Sequence, residues 1–294
     1  MVDTTKEILK KVKKIEIKTK GLSQHIFAGQ YHSAFKGSGM AFSEVREYQY
    51  GDDTRNIDWN VTAKYNKPYI KIFEEERELT VMLLVDVSGS NEFGTKNALK
   101  EDIITEISAI LAFSAILNND KVGVIFFSDE VEEFIPPKKG TTHILRIIRE
   151  LVDYKPKSQK TNVSKALEFL SNSMKKRTTA FILSDFLTEE DFETSLRIAK
   201  YRHDLVALRI VDKGEENIQN LGLIRIYDKE NNNYFWLDSS IAKNRDEVNN
   251  IFKENARKLD RIFTRNGIDY SSINTNDDYV KKLKMLFKKR ESRM

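Results

Sequence analysis

At 294 residues, with 40% hydrophobic and 32% charged side chains, the chain can bury a large core as one domain or two, and it is too apolar to be disordered. The absence of cysteine excludes disulfides, thiolate metal sites and cysteine nucleophiles. The net charge of +4 hides an asymmetry, since residues 1–20 carry +4 and residues 281–294 carry +6, which leaves −6 on the body between them.

Basic ends of this kind read as solvated tails and helix ends. Phe287 is the single aromatic residue among the lysines of the two ends, too few for the stacking platforms that base recognition requires, so nucleic-acid binding is not expected. No apolar run approaches the roughly 20 residues that span a bilayer. Met1 to Lys20 lacks the apolar core of a signal peptide, and the expected location is the cytoplasm.

In chain order, Ile8, Leu9, Val12 and Ile15 stand at helical spacing and predict an amphipathic helix over 3–19. Residues 21–71 hold Gly29, Gly37, Gly39, Gly51 and Pro68 and are expected to be rich in loops. Residues 69–78 read as a strand passing into a charged turn. Together these define an N-terminal subdomain, residues 1–78.

From Leu79 the pattern alternates strand and helix, which predicts an α/β fold with a doubly wound, mainly parallel sheet over residues 79–294. Strand 79–86 is followed by a helix over 95–117 whose apolar residues cover more than one face. Strands 121–127 and 131–135 are joined too tightly to be parallel, so an antiparallel edge is expected, ending at Pro136-Pro137. Helices over 141–152 and 162–175 precede a second buried strand, 178–185. A helix over 189–201, a strand over 205–211 and a hairpin insertion near 221–237 follow. A helix over 242–265, a strand over 268–273 and a helix over 277–289 complete the chain.

The first strand of this series ends in Asp86-Val87-Ser88-Gly89-Ser90, and strand 178–185 ends in Asp185. Ligands of open α/β sheets gather at the carboxyl ends of the strands, so both carboxylates are expected in one crevice. Thr161, just before the helix leading to the second strand, can add a hydroxyl. Oxygen-only ligands suit a hard cation such as Mg²⁺, with another divalent cation possible. A cation held mostly by neutral hydroxyls stays electrophilic and ready for a partner's carboxylate, which favours recognition over catalysis.

Two other readings apply to the same residues. Ser88 or Ser90 could merely cap the next helix. Asp86 could be an aspartyl nucleophile, but that chemistry needs a second carboxylate two residues on, where Ser88 stands. No G-x-x-x-x-G-K-[ST] motif is present, so nucleotide hydrolysis by this chain is not expected.

Asp-x-Ser-x-Ser after a buried strand, then Thr161, then a strand ending in Asp185, resembles the metal-ion-dependent adhesion site of von Willebrand factor A domains. The resemblance implies that Ser88, Ser90 and Thr161 touch the metal directly, while Asp86 and Asp185 act largely through water. Many relatives have Met after the second serine, where this chain has Asn91. Upstream, the block Gly29 to Gly39, Phe42, Glu44, Arg46-Glu47-Tyr48, Gly51 to Trp59, Thr62-Ala63-Lys64 and Glu75 to Leu79 is similar to the bacterial family called domain of unknown function 58. That resemblance implies a non-enzymatic adaptor working with a MoxR-type AAA+ ATPase on client proteins.

The Asp52-Asp53-x-Arg55-x-x-Asp58-Trp59 cluster has a separate reading. It could be a metal-dependent hydrolase site, although mixed-sign sets more often form Arg–carboxylate networks, here with Arg46 or Arg77 as partners. Trp59 is expected to be a packed anchor. His25, His32, His143 and His203 show no metal-type spacing, and His203 is expected to be solvated.

Overall fold

The computed structural model describes residues 2–23, 31, 34–35, 41–74, 78–94, 99–188, 190–228 and 233–293. The chain forms two compact units, Phe35–Leu79 and a larger one made of Met1–Ala34 with Thr80–Met294. Their limits differ from the 1–78 and 79–294 division read from the sequence, because the N-terminal helix α1 (Val2–Leu22) packs within the larger unit.

In the smaller unit, β1 (Ala41–Glu47) pairs antiparallel with β2 (Tyr69–Glu74), with an irregularity between Phe42 and Glu44. Between them lie a 3₁₀ turn, Thr54–Asn56, and the helix α2 (Trp59–Tyr65). This corrects the loop-rich expectation over residues 41–71, whereas 24–30, 32–33 and 36–40 lie outside the described residues. The elements here rest on local caps rather than on apolar periodicity. Asp53 accepts from Arg55 N–H, Asp58 caps α2 by accepting from Asn60 and Val61 N–H, and Asn66 ends it at φ 53°. Trp59 is 70% exposed and is not the packed anchor expected of it.

The larger unit is organised by β3 (Thr80–Asp86), buried from Val81 to its end. Such a run belongs in the middle of a parallel sheet covered on both faces. The other strands are β4 (Lys121–Phe127), β5 (Val131–Lys138), β6 (Thr179–Ser184), β7 (Asp204–Val211) and β10 (Asp269–Asn274). They lie in the order β10-β7-β6-β3-β4-β5, parallel except for the antiparallel pair β4–β5. In sheet-internal numbering this is the doubly wound order 6-5-4-1-2-3, which reverses direction between β3 and β6. The hairpin β8 (Leu223–Asp228) with β9 (Asn233–Asp238) stands apart as its own two-stranded sheet.

One strand boundary departs from expectation. β5 does not stop at Pro136-Pro137 but continues to Lys138. It is an edge strand, so two missing N–H donors interrupt no interior ladder.

Between the strands run α3 (Lys100–Leu117), α4 (Thr141–Asp153), α5 (Val163–Ser173), α6 (Glu193–Arg202), the single turn α7 (Lys213–Glu216), α8 (Ala242–Arg265) and α9 (Tyr279–Glu291). Residues 95–98, expected to open α3, lie outside the described residues. α3 packs on the strands with one side and on α1 and α4 with others, which explains apolar residues all round it. On the opposite sheet face, Met82, Leu84, Ile125 and Ile182 pack with Leu167 and Leu170 of α5, Leu196 of α6 and Phe263 of α8.

Charged termini also find partners here. Lys11 and Lys18 of α1 pair with Asp102 and Glu106 of α3. Arg290, 7% exposed, donates from Nε to the Ala34 carbonyl, from Nη1 to Asp269 and from Nη2 to Asp204. Several of the basic residues at the two ends thus meet the acidic body.

Candidate functional site

β3 and β6 end side by side at the strand switch point, and there Asp86, Ser88, Ser90 and Asp185 gather. Asp86 closes β3 and is 1% exposed. Its Oδ1 accepts from the Ser88 N–H at 2.9 Å, and its Oδ2 accepts from the Ser184 hydroxyl at 2.5 Å. The Asp86 turn therefore folds back on its own carboxylate, which presents the Ser88 and Ser90 hydroxyls 3.1 Å apart. Asn91 Nδ2 braces the turn by donating to the Asp86 carbonyl at 3.0 Å.

Asp185 follows β6 directly and is fully buried. Its Oδ1 accepts from the Leu187 N–H at 3.0 Å. The next residue, Phe186, sits at φ 55°, a left-handed conformation that a bulky residue adopts at a cost of ~1–3 kcal/mol. It is kept there by its N–H bond to Ser184 Oγ at 2.9 Å and by ring packing against Phe192 and Phe263.

Thr161 reaches the same rim through its chain neighbours. Gln159 accepts from the Gly89 N–H at 3.3 Å, and Asn162 N–H donates to the Ser128 carbonyl beyond β4 at 2.8 Å. The Thr161 carbonyl accepts from Thr188 Oγ1 at 3.0 Å. Its own hydroxyl oxygen is buried without a hydrogen-bond partner, and so is Asn91 Oδ1. Asp86, Ser88 and Ser90 are thus joined directly, Asp185 adjoins them through Ser184, and Thr161 is tied in by its flanking residues.

Two residues that nothing in the sequence marks complete the cluster. Lys100, the first residue of α3, is fully buried. Its Nζ donates to Asp185 Oδ2 at 2.8 Å and to Glu215 Oε1 and Oε2 at 2.8 and 3.0 Å. In sequence, Lys100 falls inside the helix expected over 95–117, where a lone lysine passes for a solvated side chain, and Glu215 in the connection after the strand over 205–211. The faint signal is position: Glu215 follows β7, the next parallel strand in the sheet.

The electrostatics follow from burial. Asp86 is pushed up to about 6, first by desolvation and then by the charge of Asp185, while bonds from Ser184 and Ser88 pull the other way. Burial alone would lower Lys100, but Asp185 and Glu215 more than offset it and hold the ammonium charged above the ordinary lysine range. Glu215 is raised by burial, with Lys100 opposing. Asp185 and Glu215 thus share one ammonium, and Asp86 is a third carboxyl that feels the charge of Asp185, a set short of positive charge.

That donor set fits a hard divalent cation. Every donor is oxygen, one hydroxyl is buried and unpartnered, and two carboxylates supply neutralising charge. Among the described residues no group of three or more His, Cys, Asp or Glu could hold a metal, so any cation here depends on hydroxyls. Beside the site, a cavity of about 130 Å³ is lined by Asp86, Ser88, Asn91, Glu101, Thr105 and Tyr154.

The Asp52, Asp53 and Asp58 cluster does not converge. Asp52 takes a two-pronged bond from Arg46 at 2.8 and 2.9 Å and another from the Gln49 N–H. Asp53 pairs with Arg55, and Asp58 caps α2 with Lys71 nearby at 3.5 Å. All three carboxyls lie below their ordinary range, each held down first by these hydrogen bonds. Arg77, His25 and His32 lie outside the described residues. His143 shares a hydrogen bond with the Val122 carbonyl, and His203 is buried rather than solvated.

A doubly wound sheet with an antiparallel edge and a hydroxyl-rich strand-end turn defines an α/β protein of the von Willebrand A type. The chain belongs to the family described as "Protein of unknown function DUF58", which matches residues 44–258. It is 27% identical over 218 residues to an uncharacterized protein of Mycobacterium tuberculosis, covering 74% of this chain and 69% of that one. Among solved structures it is similar to BatB of Bacteroides thetaiotaomicron, with a TM-score of 0.45, 13% identity and coverage of 73% and 99% of the two chains. It is also similar to the SpRpn10 VWA domain, with a TM-score of 0.36, 13% identity and coverage of 45% and 75%.

Proposed function

We propose that this protein is a non-enzymatic interaction adaptor that captures a partner's carboxylate through a Mg²⁺ ion. Ser88, Ser90 and Thr161 would hold the ion, and Asp86 and Asp185 would neutralise it. The observation that carries this reading is the buried, unpartnered Thr161 hydroxyl, two residues beyond the Gln159 carbonyl that accepts from Gly89, between Ser88 and Ser90. A buried polar atom without a partner calls for an explanation such as an ion, and a hard cation supplies one. When bound, the metal supplies an electrophilic coordination position for an incoming carboxylate. Another divalent cation would serve the same chemistry.

The partner assigned is a MoxR-type AAA+ ATPase acting on client proteins, on the strength of the signature block upstream of the α/β unit. Hydrolase chemistry at Asp52, Asp53 and Asp58 draws no support from a set in which each carboxylate is engaged by its own local donors.

Capture of a purified MoxR-type ATPase by the immobilised full chain tests the reading, with Mg²⁺ or with chelator and with Ser88→Ala. Both chelation and Ser88→Ala are expected to reduce capture about tenfold or more, as for one lost charge-assisted contact. Equal capture in all four conditions would overturn it.

A further inference from the structure

We infer that Lys100 is a tethered counter-ion that competes with the divalent cation for Asp185, so that this lysine sets how readily the site loads. The inference rests on the cation site proposed above and names its regulation.

The accounting of oxygens leads there. Both oxygens of Asp86 are already engaged, one by the Ser88 N–H and one by the Ser184 hydroxyl. Of Asp185, Oδ1 is engaged by the Leu187 N–H and Oδ2 by Lys100 Nζ. A metal on Ser88, Ser90 and Thr161 draws its neutralising charge from these two carboxylates, directly or through water. Of these four oxygens, Asp185 Oδ2 is the one held by a cation rather than by a neutral donor, and a metal on either oxygen of Asp185 meets that charge. Two cations on one carboxylate oppose each other, and burial leaves little water to screen them.

Lys100 cannot leave for solvent. It is fully buried, and an ammonium has three protons, all of them placed against carboxylate oxygens. Glu215 gives it somewhere to stay. With both Glu215 oxygens within 3.0 Å, the ammonium keeps a full charge partner if Asp185 turns to the metal. The cluster therefore has two arrangements, with Lys100 shared between the two carboxylates or paired with Glu215 alone. A divalent cation shifts their balance only by its preference for the second. Partner capture, which adds a carboxylate to the metal, would pull the same way.

Calorimetric titration of Mg²⁺ into the full chain tests this, with wild type, Lys100→Met, Lys100→Arg, Ser88→Ala and the double variant Ser88→Ala/Lys100→Met. Lys100→Met is expected to bind Mg²⁺ about tenfold more tightly than wild type, a usual size for coupling between two ligands. Lys100→Arg, which keeps the charge, stays close to wild type, and the double variant loses the gain.

If Ser88→Ala weakens binding but Lys100→Met does not tighten it, the counter-ion role is overturned and the cation site stands. A gain that survives in the double variant would place the ion elsewhere and overturn the role as well. No binding by any variant would overturn both readings. Should Lys100→Met fail to fold, Glu215→Gln decides. Leaving the ammonium to Asp185 alone should weaken Mg²⁺ by about threefold or more, and unchanged affinity would overturn the role.

Discussion

The Ser184 hydroxyl donates to Asp86 Oδ2 at 2.5 Å across the adjacent strands β6 and β3, inside a site where both residues are buried. This bond fixes the carboxylate around which the Asp86–Ser90 turn folds. Removing the donor would leave a buried carboxylate oxygen unpaired, at a cost of about 1–3 kcal/mol. Ser184→Ala should lower the urea midpoint by the corresponding amount with an unchanged slope. A variant as stable as wild type would take Ser184 out of this supporting role.

Packing next to the same strand makes a second prediction, independent of the site. A Cβ on Gly123 of β4 would lie 2.7 Å from Met82 Sδ, 2.8 Å from the Ile135 carbonyl oxygen and 2.9 Å from Pro137 N. Two of those atoms are backbone of the partner strand and cannot rotate aside. Gly123→Ala should therefore destabilise by about 1–3 kcal/mol or more, the usual cost of overpacking. Gly21, near the end of α1, has nothing within 4 Å of the same position among the described residues. Gly21→Ala should stabilise by roughly 0.5–1 kcal/mol through helix propensity. Thermal melts of the two variants should move in opposite directions, and a shared direction would contradict the packing argument.

Much of this architecture is legible before any coordinates. Val81 to Val85 and Ala180 to Leu183 read as buried strands because unbroken apolar runs of that length have few other uses. The Asp86, Ser88, Ser90 and Asp185 positions follow from the rule that sites form at strand ends. β2 is legible as well, as the strand read from residue 69, but β1 and α2 escape such reading, since Asp58 and the Arg46–Asp52 pair hold them by local bonds with no periodic apolar stripe. Lys100 and Glu215 escape it for another reason. Isolated charges at helix starts are normally solvated, and only pairing across 115 positions makes their burial affordable. His203, expected to be solvated, illustrates the same failure with a titratable ring.

His203 is 1% exposed, and neither ring nitrogen has a hydrogen-bond partner among the described residues. Burial, followed by the charges of Arg202 and Arg177, holds it below the ordinary imidazole range. The fold thus favours the neutral ring, whereas the unfolded chain takes up a proton near pH ~6.5. Its contribution is present above that value and is lost as the pH falls toward and through the lower folded pKa. Urea unfolding between about pH 7.5 and 5 should show stability declining on acidification. His203→Leu should flatten that decline, and an identical pH slope in the two proteins would exclude His203 as its source.

Thr161→Val separates the cost of the site from its use. Valine nearly matches threonine in shape, so the exchange removes the buried, unpartnered hydroxyl with little change in packing. An unsatisfied buried polar group costs roughly 1–3 kcal/mol. In chelator the variant should therefore be at least as stable as wild type, which is unusual for a substitution beside a site. With Mg²⁺ the order should reverse. A metal that binds only the folded chain stabilises it by roughly 2.7 kcal/mol at one hundred times its dissociation constant, and the valine variant should forfeit most of that gain. Melting temperatures of both proteins across a Mg²⁺ series measure the two effects together. Parallel curves for the two proteins would mean that the Thr161 hydroxyl faces no metal, and a loss of stability already present in chelator would mean that it is satisfied in some other way.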